Sequence, residues 1–317
     1  MWLSWSIYRE IKSQPDIQSA WNEIRSALGS SQSWKLAAVV LLMIVNWSVE
    51  AIKWKISVSS VQRVSFFKAL KAVLSGVSFS VSTPNRVGEY LGRVLYMDDG
   101  NRLRTISLTI VGSISQLIIT ILMGVIGIIV LRQQIESSNL ISGIWIRVLI
   151  YGTLAVLAVL TLFYFRLSWL IKWVDRLPGS NRFVYLVKAL EGFDATLLLK
   201  LLSLSLLRFL VFMVQYYLLF DLFGVELAWW QVFWSVSVSF LVMAVIPTFA
   251  IAELGLRGRV ALSLVGLFSS NEIGIIFTTA GIWFINLVIP AIAGSLLILS
   301  IKKVYNTDNK AGDSKTN

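Results

Sequence analysis

Long uncharged apolar runs recur along the chain. Between Arg104 and Arg132 lie 27 uncharged residues, and between Glu272 and Lys302 lie another 29. About 20 apolar residues are enough for an α-helix to cross a bilayer. The pattern therefore predicts an all-α polytopic membrane protein with five spans. The predicted spans are Leu36 to Ile52, Thr105 to Leu131, Val148 to Phe165, Leu197 to Phe220 and Ile273 to Ile301.

Two further apolar segments are interrupted by a proline and by charges. The first, Phe66 to Met97, contains Pro84, and the second, Leu227 to Phe268, contains Pro247. Proline breaks a helix because it lacks an N–H donor and its ring clashes with the preceding turn. The residues from Asn85 to Met97 would cover only about 20 Å as a helix. We therefore predict that each segment is a broken hairpin that leaves on the side from which it entered, the alternative being that each half crosses completely.

The distribution of lysine and arginine predicts the orientation of the chain. Asp221 to Trp230 and Phe268 to Glu272 contain neither residue type, whereas four other places are basic. The positive-inside rule puts the basic places in the cytoplasm. The two hairpins then enter from opposite sides, which gives an inverted repeat of span, broken hairpin and span, with Val148 to Phe165 as the linking helix. Such repeats are typical of transporters. The basic residues are Lys53, Lys55, Arg63 and Lys68; Arg102 and Arg104; Arg166, Lys172, Arg176, Arg182 and Lys188; and Lys302 and Lys303.

The two ends of the chain differ from the apolar middle. Residues 1–33 combine tryptophans with polar residues at loosely helical spacing, which predicts an amphipathic interfacial segment. Residues 34–302 form the predicted transmembrane domain. Residues 303–317 are polar and are predicted to be a disordered tail.

Each interrupted segment carries a glutamate and, four residues later, an arginine. The pairs are Glu89 with Arg93 and Glu253 with Arg257. Residues four apart lie on one face of a helix, and a helix start offers unpaired N–H groups that suit phosphate or carboxylate. One alternative is that each pair only neutralises charge, so that a short helix can lie within the membrane. Because charges within membranes are costly and usually mark a substrate path, we favour an anion site.

Arg208 lies near the centre of a predicted span with no acidic residue within one turn. A buried arginine needs a partner, and we predict Glu89, Glu253 or the substrate.

Glu50 and Lys200 lie near predicted span ends and are interpreted as interface residues whose side chains extend to the headgroups. Four polar residues within the spans are predicted to form interhelical hydrogen bonds. They are Asn46, Gln116, Gln215 and Asn286.

The sequence thus predicts a set of substrate-binding residues and a set of structural hinges. The predicted substrate-binding residues are Arg86, Glu89, Arg93, Arg208, Glu253, Arg257 and Arg259. The predicted hinges are Pro84, Gly88, Pro247 and Gly255.

Composition narrows the possible chemistry. The chain is 56% hydrophobic and 14% charged, whereas soluble domains carry about 25% charged residues. It contains no cysteine and no histidine, which excludes thiol nucleophiles, disulfides, and thiolate or imidazole metal sites. No P-loop motif occurs, so ATP hydrolysis within this chain is not predicted. No cofactor and no metal are predicted either. The net charge of +11 is explained by the basic loops, so a nucleic-acid partner is not predicted either.

Three short motifs resemble a known family. They are Pro84-Asn85-Arg86-Val87-Gly88-Glu89 followed by Arg93, Pro247 followed by Glu253-Leu254-Gly255, and Ala51-Ile52-Lys53-Trp54. In order and spacing they resemble the lysylphosphatidylglycerol synthase transmembrane, or flippase-like, family, which includes the membrane domain of the multiple peptide resistance factor. The resemblance covers most of Leu36 to Lys302. It implies a lipid-handling domain of the bacterial cell (inner) membrane, with Arg86, Glu89, Arg93 and Glu253 as the positions of interest.

The sequence departs from the family at both ends. Family members often carry one more span before the segment equivalent to Leu36, so a truncated start is one expectation. No aminoacyl-transferring domain follows Lys302, so synthesis of lysylphosphatidylglycerol by this chain alone is not expected.

Three functions remain open from the sequence. The first is a flippase or transporter for an anionic lipid or a lipid-linked substrate. The second is a membrane-embedded transferase that uses Glu89 or Glu253 as a general base. The third is a non-catalytic subunit that needs a membrane or enzyme partner. The sequence does not indicate the oligomeric state.

Overall fold

The computed structural model describes residues 32–81, 83, 87–138, 140–166, 189–246 and 250–299. Within these ranges every regular element is helical. The helices are α1 (Trp34–Val58), α2 (Phe66–Val81), α3 (Gly88–Val94), α4 (Arg102–Val130), α5 (Arg132–Ser137), α6 (Gly143–Phe165), α7 (Ala195–Leu222), α8 (Trp229–Val245), α9 (Ala250–Val265) and α10 (Glu272–Trp283). Short 3-10 turns occupy Asp99–Asn101 and Ala189–Gly192, and α10 continues through a π turn, Phe284–Val288, to Leu299.

Five of these helices are long and apolar enough to cross a membrane, as predicted. They are α1, α4, α6, α7 and α10 with its continuation. The prediction of an all-α polytopic membrane protein is therefore confirmed. Most of the predicted amphipathic segment at residues 1–33, most of the basic stretch between Arg166 and Asp194, and the whole predicted tail at 303–317 lie outside the described residues.

The predicted end of the first span at Ile52 is wrong. Helix α1 continues to Val58, so Lys53 lies inside it and only 2% of the residue is exposed. The helix can extend past Lys53 because its ammonium group forms an ion pair with Glu50 within the bundle. Lys53 and Lys55 therefore both lie on the helix instead of in a loop, Lys53 buried and Lys55 exposed in the last turn.

The two interrupted segments each form a pair of packed short helices. Helix α3 has seven residues and is about 10 Å long, and α2, α8 and α9 have 16 or 17 residues each, about 25 Å. The hydrocarbon core of a bilayer is about 30 Å thick. The helix order is therefore span, short pair, span, linking helix, span, short pair and span, which agrees with the predicted order. Pro84 and Pro247 lie between the members of the pairs, outside the described residues.

Helices α2 and α3 approach each other through glycine. A Cβ added to Gly92 would lie 2.4 Å from the Cα and N atoms of Gly76, and one added to Gly76 would lie 2.8 Å from the carbonyl oxygen of Glu89. Only residues without a side chain allow this contact between backbones. The close approach fixes the position of α3, and with it Glu89 and Arg93, on the inner side of the bundle.

The remaining helices pack around α1, α4 and α7. Helix α1 contacts α2, α4 and α7, α4 contacts α6 and α8, and α9 lies between α8 and α10. The linking helix α6 is peripheral, since Ile146 and Tyr164 are its only buried residues among those described. Its exposed apolar surface is typical of a helix that faces lipid.

Candidate functional site

One carboxylate, that of Glu50 on α1, contacts three cations inside the bundle. Its Oε1 lies 2.9 Å from Nη2 of Arg93 on α3, and its Oε2 lies 2.9 Å from Nζ of Lys53 and also pairs with Nη1 of Arg208 on α7. Glu50 is 5% exposed. We call Glu50, Lys53, Glu89, Arg93 and Arg208 the Glu50 cluster; it joins three helices through ion pairs.

The interpretation of Glu50 as an interface residue is wrong, because the side chain points into the bundle. A signal for this was present in the sequence. Asn46, Glu50 and Lys53 are spaced at i, i+4 and i+7, and such residues lie on one face of a helix. A polar stripe of this kind on an otherwise apolar helix indicates a buried polar network. Lys200, in contrast, is exposed on α7.

The partners of Arg208 also differ from the prediction. In addition to Glu50, its Nε donates a hydrogen bond to Oδ1 of Asn46 at 2.7 Å. Its guanidinium carbon lies 5.5 Å from the centre of the Trp47 ring, a cation–π distance. Arg208 is therefore held by three residues of α1 instead of by Glu89 or Glu253.

The predicted pair on the first hairpin forms. Nη2 of Arg93 lies 3.3 Å from Oε2 of Glu89, and the same nitrogen contacts Glu50. Arg93 is 4% exposed. The hairpin thus brings its arginine to the carboxylate of α1 as well as to its own glutamate.

The predicted pair on the second hairpin forms as well. Nη2 of Arg257 lies 2.5 Å from Oε1 of Glu253, and its Nη1 donates to the hydroxyl of Tyr216 on α7 at 3.2 Å. The guanidinium also lies 5.9 Å from the centre of the Phe240 ring on α8. Three helices therefore position this arginine.

The Glu50 cluster and the pair of Glu253 with Arg257 line the same cavity, which has a volume of about 730 Å³. Four cations and three carboxylates border it, so its lining carries one positive charge in excess. The charged lining residues are Glu50, Lys53, Glu89, Arg93, Arg208, Glu253 and Arg257. Aromatic and aliphatic side chains form much of the remaining wall, among them Phe209, Phe212, Phe240, Met243, Val245 and Leu287.

Several buried polar atoms in the cavity-lining residues have no hydrogen-bond partner among the described residues. They are Nε1 of Trp47 and of Trp283, Oε1 of Gln116, Oδ1 of Asn286, and Nε of Arg93 and of Arg257. A buried polar group without a partner is costly. Each of these buried atoms is therefore a donor or acceptor that the described residues leave unpaired. Of the predicted interhelical hydrogen bonds, those of Asn46 with Arg208 and of Gln215 with the carbonyl of Val39 form.

The other predicted site residues have different positions. Arg259 is exposed and does not line the cavity. Gly88 begins α3 and donates its N–H to the hydroxyl of Thr83 at 2.8 Å, and Gly255 is buried within the regular turns of α9. Arg86, Pro84 and Pro247 lie outside the described residues. No cluster of carboxylates suitable for a metal occurs in the described part of the chain.

The helices and the cavity define a class: a polytopic α-helical membrane protein with a charged cavity among its helices. The family model of the lysylphosphatidylglycerol synthase TM region matches residues 17–294, and the chain belongs to this family. The family resemblance of the sequence motifs is thus confirmed. Membership places the chain among membrane proteins that act on anionic lipids. No curated protein matches the chain significantly.

Proposed function

We propose that the protein moves an anionic lipid or a lipid-linked substrate across the bacterial cell (inner) membrane and binds the headgroup in the central cavity. One observation carries the proposal: the arginines of both hairpins, Arg93 and Arg257, line a single cavity whose charged residues leave one positive charge in excess. A negatively charged headgroup would balance that charge.

The chemistry of the cavity suits a phosphate that carries apolar chains. Arginine donates paired N–H groups to phosphate oxygens, and these interactions are strong where water is scarce. The apolar wall that includes Phe212, Met243 and Val245 lies next to the charges. The volume of about 730 Å³ falls within the range of about 300–1,000 Å³ usual for small-molecule pockets.

The proposed mechanism is alternating access, and the repeated order of the helices supports it. In this proposal the pair of α2 and α3 and the pair of α8 and α9 are re-entrant hairpins that enter from opposite leaflets. Rocking of one repeat against the other would then expose the shared cavity to each leaflet in turn. Glu89 and Glu253 would hold the arginines, and exchange protons or ion pairs, while the cavity is without substrate.

The ion pairs favour transport over a transferase reaction. A general base needs a carboxylate oxygen that can reach the proton of the substrate. Glu50, Glu89 and Glu253, the carboxylates that line the cavity, are each engaged with an arginine. This arrangement suits anion binding more than it suits proton abstraction.

Transport is tested with purified protein in proteoliposomes that contain a fluorescent phosphatidylglycerol. Loss of fluorescence on addition of an impermeant quencher reports which lipids have reached the outer leaflet. We expect Arg93→Gln and Arg257→Gln to abolish translocation. Arg147→Gln, a change at an exposed arginine of α6, is the control and retains it. Transport at the wild-type rate in both cavity variants, with the proteins folded, would reject the proposal.

The same vesicles separate the alternatives. A covalently modified lipid found by mass spectrometry would indicate a transferase. If the wild-type protein neither moves nor modifies lipid, a partner subunit is required.

A further inference from the structure

The carboxylate of Glu50 is an anion of the protein itself. It forms ion pairs with three of the cations that line the cavity. Both oxygens of Glu50 are used: Oε1 by Arg93 and Oε2 by Lys53 and Arg208. All four residues line the cavity. A carboxylate bound by two arginines and a lysine has the donors around it that a phosphate group would need.

The cations need a counter-ion whether or not substrate is present. Arg93, Arg208 and Lys53 are 4%, 9% and 2% exposed, and buried charges without a partner are strongly unfavourable. Glu89 contacts Arg93 alone among the three in the described ion pairs. Glu50 therefore supplies the counter-charge that Lys53 and Arg208 share.

Arg93 also has capacity for a second anion. A guanidinium carries five N–H donors. Its contacts with Glu50 and Glu89 both use Nη2, while its buried Nε has no partner among the described residues. A phosphate that reached this buried Nε could therefore bind Arg93 before the contact with Glu50 is lost.

We infer that Glu50 is an internal counter-anion that exchanges with the anionic group of the substrate at Arg93 and Arg208. This inference rests on the anion site of the proposed function and adds a role for Glu50. Competition by the carboxylate limits the affinity for the substrate, so that the headgroup can leave again. A transport site has to bind its substrate strongly enough to accept it and weakly enough to release it.

Binding to full-length protein in detergent tests this inference without the need for transport. The probe is dihexanoyl phosphatidylglycerol, and inorganic phosphate in a parallel titration shows whether the lipid or the phosphate alone is recognised. Binding is read from the change in intrinsic fluorescence of the 13 tryptophans, of which Trp47 and Trp283 line the cavity. We expect Glu50→Gln to lower the Kd for the lipid by about tenfold and to slow its translocation in vesicles.

A second variant separates exchange from a general effect of charge. The double change Glu50→Gln with Lys53→Met removes one negative and one positive charge, so the net charge of the cavity equals that of the wild type. If Glu50 competes directly for the arginines, this variant also binds more tightly than the wild type. Lys55→Gln, at an exposed position of the same helix, is the control and leaves the Kd unchanged.

Three results would overturn the inference: a Kd unchanged or raised by Glu50→Gln, a wild-type Kd in the double variant, or tighter binding of Lys55→Gln to the same extent. If Glu50→Gln does not fold, the double variant decides. If neither folds, Glu50→Asp decides, since its shorter side chain withdraws the carboxylate from the arginines and should also lower the Kd.

The two proposals fail in different ways. A wild-type protein that binds the probe without moving it, combined with tighter binding in Glu50→Gln, would reject transport and retain the counter-anion. A protein that transports but whose affinity does not respond to Glu50 would retain transport and reject the counter-anion.

Discussion

Glu50 and Arg208 are 158 positions apart in the sequence and form a direct ion pair between α1 and α7. These are the first helices of the two halves in the predicted repeat. The pair therefore links the halves at the cavity that both of them line.

Loss of Glu50 should destabilise the protein more than loss of Arg208. The Glu50 cluster holds three cations and two carboxylates, so Glu50→Gln leaves two positive charges in excess, whereas Arg208→Gln leaves the cluster neutral. Removal of one partner of a buried pair costs about 3 kcal/mol when a charge remains uncompensated. We expect about this loss for Glu50→Gln and about 1 kcal/mol for Arg208→Gln, measured by thermal unfolding in detergent.

The double variant Glu50→Gln with Arg208→Gln should be more stable than Glu50→Gln alone, because the net charge of the cluster returns to its original value. Lys200→Gln, at an exposed position of α7, is the control for the loss of a cation. If Arg208→Gln lowers the stability as much as Glu50→Gln does, or more, the proposed charge balance is contradicted.

A methyl group at position 92 should displace α3. In Gly92→Ala the new Cβ would lie 2.4 Å from backbone atoms of Gly76, so the two helices must separate. Overpacking of this kind costs about 2 kcal/mol, and because Arg93 moves with α3 we also expect translocation to be lost. Gly152→Ala on α6 meets no atom within 4 Å and should leave both properties intact. Equal behaviour of the two variants in thermal unfolding and transport would argue against the close packing.

The hydroxyl of Tyr216 should contribute to the position of Arg257. Tyr216→Phe removes the acceptor at 3.2 Å from Nη1 and keeps the aromatic packing against Phe240. Loss of a hydrogen bond to a charged group costs about 1.5 kcal/mol, so we expect a lower unfolding temperature and slower translocation. Tyr217→Phe at the next position is a matched control, since no hydrogen bond of its hydroxyl occurs within the described residues. If Tyr217→Phe lowers the unfolding temperature and the translocation rate by the same amount, the hydrogen bond to Arg257 is not the cause of the effect.

Single cysteines should test the inverted arrangement directly. The chain contains no cysteine, so the wild type gives no background with thiol reagents. Ser59, after α1, and Ser270, between α9 and α10, are exposed. Given the predicted orientation, we expect an impermeant maleimide to label Ser59→Cys only from the cytoplasmic side and Ser270→Cys only from the other side. Labelling of both from one side would rule out the predicted topology.

The apolar pattern was sufficient to predict the helices. The spans and the short helix pairs could be located because helices in lipid must satisfy their backbone hydrogen bonds internally and must present apolar side chains to the bilayer. The pairs of Glu89 with Arg93 and of Glu253 with Arg257 could be predicted for a similar reason. Residues four positions apart meet on any helix, whatever the rest of the fold does.

The roles of Glu50 and Lys53 could not be assigned with the same rule. The spacing of Asn46, Glu50 and Lys53 puts them on one face of α1 and indicates a buried polar network. It does not identify the arginines of α3 and α7 that contact Glu50. For Arg208 the sequence indicated the need for a partner, but the predicted partners Glu89 and Glu253 were wrong. The structure supplies Asn46 and Glu50 of α1, which lie 162 and 158 positions away in the sequence.

The sequence by itself thus determined the membrane-spanning helices, the family and the local ion pairs, because each depends on composition or on spacing within one helix. Only the tertiary structure decided that both short helix pairs border one cavity, that Glu50 is shared by three cations, and that Arg259 faces away from the cavity. The physical reason is that these relationships depend on which faces of separate helices pack together, and that packing is set by contacts between distant residues, such as the glycine contact of α2 with α3.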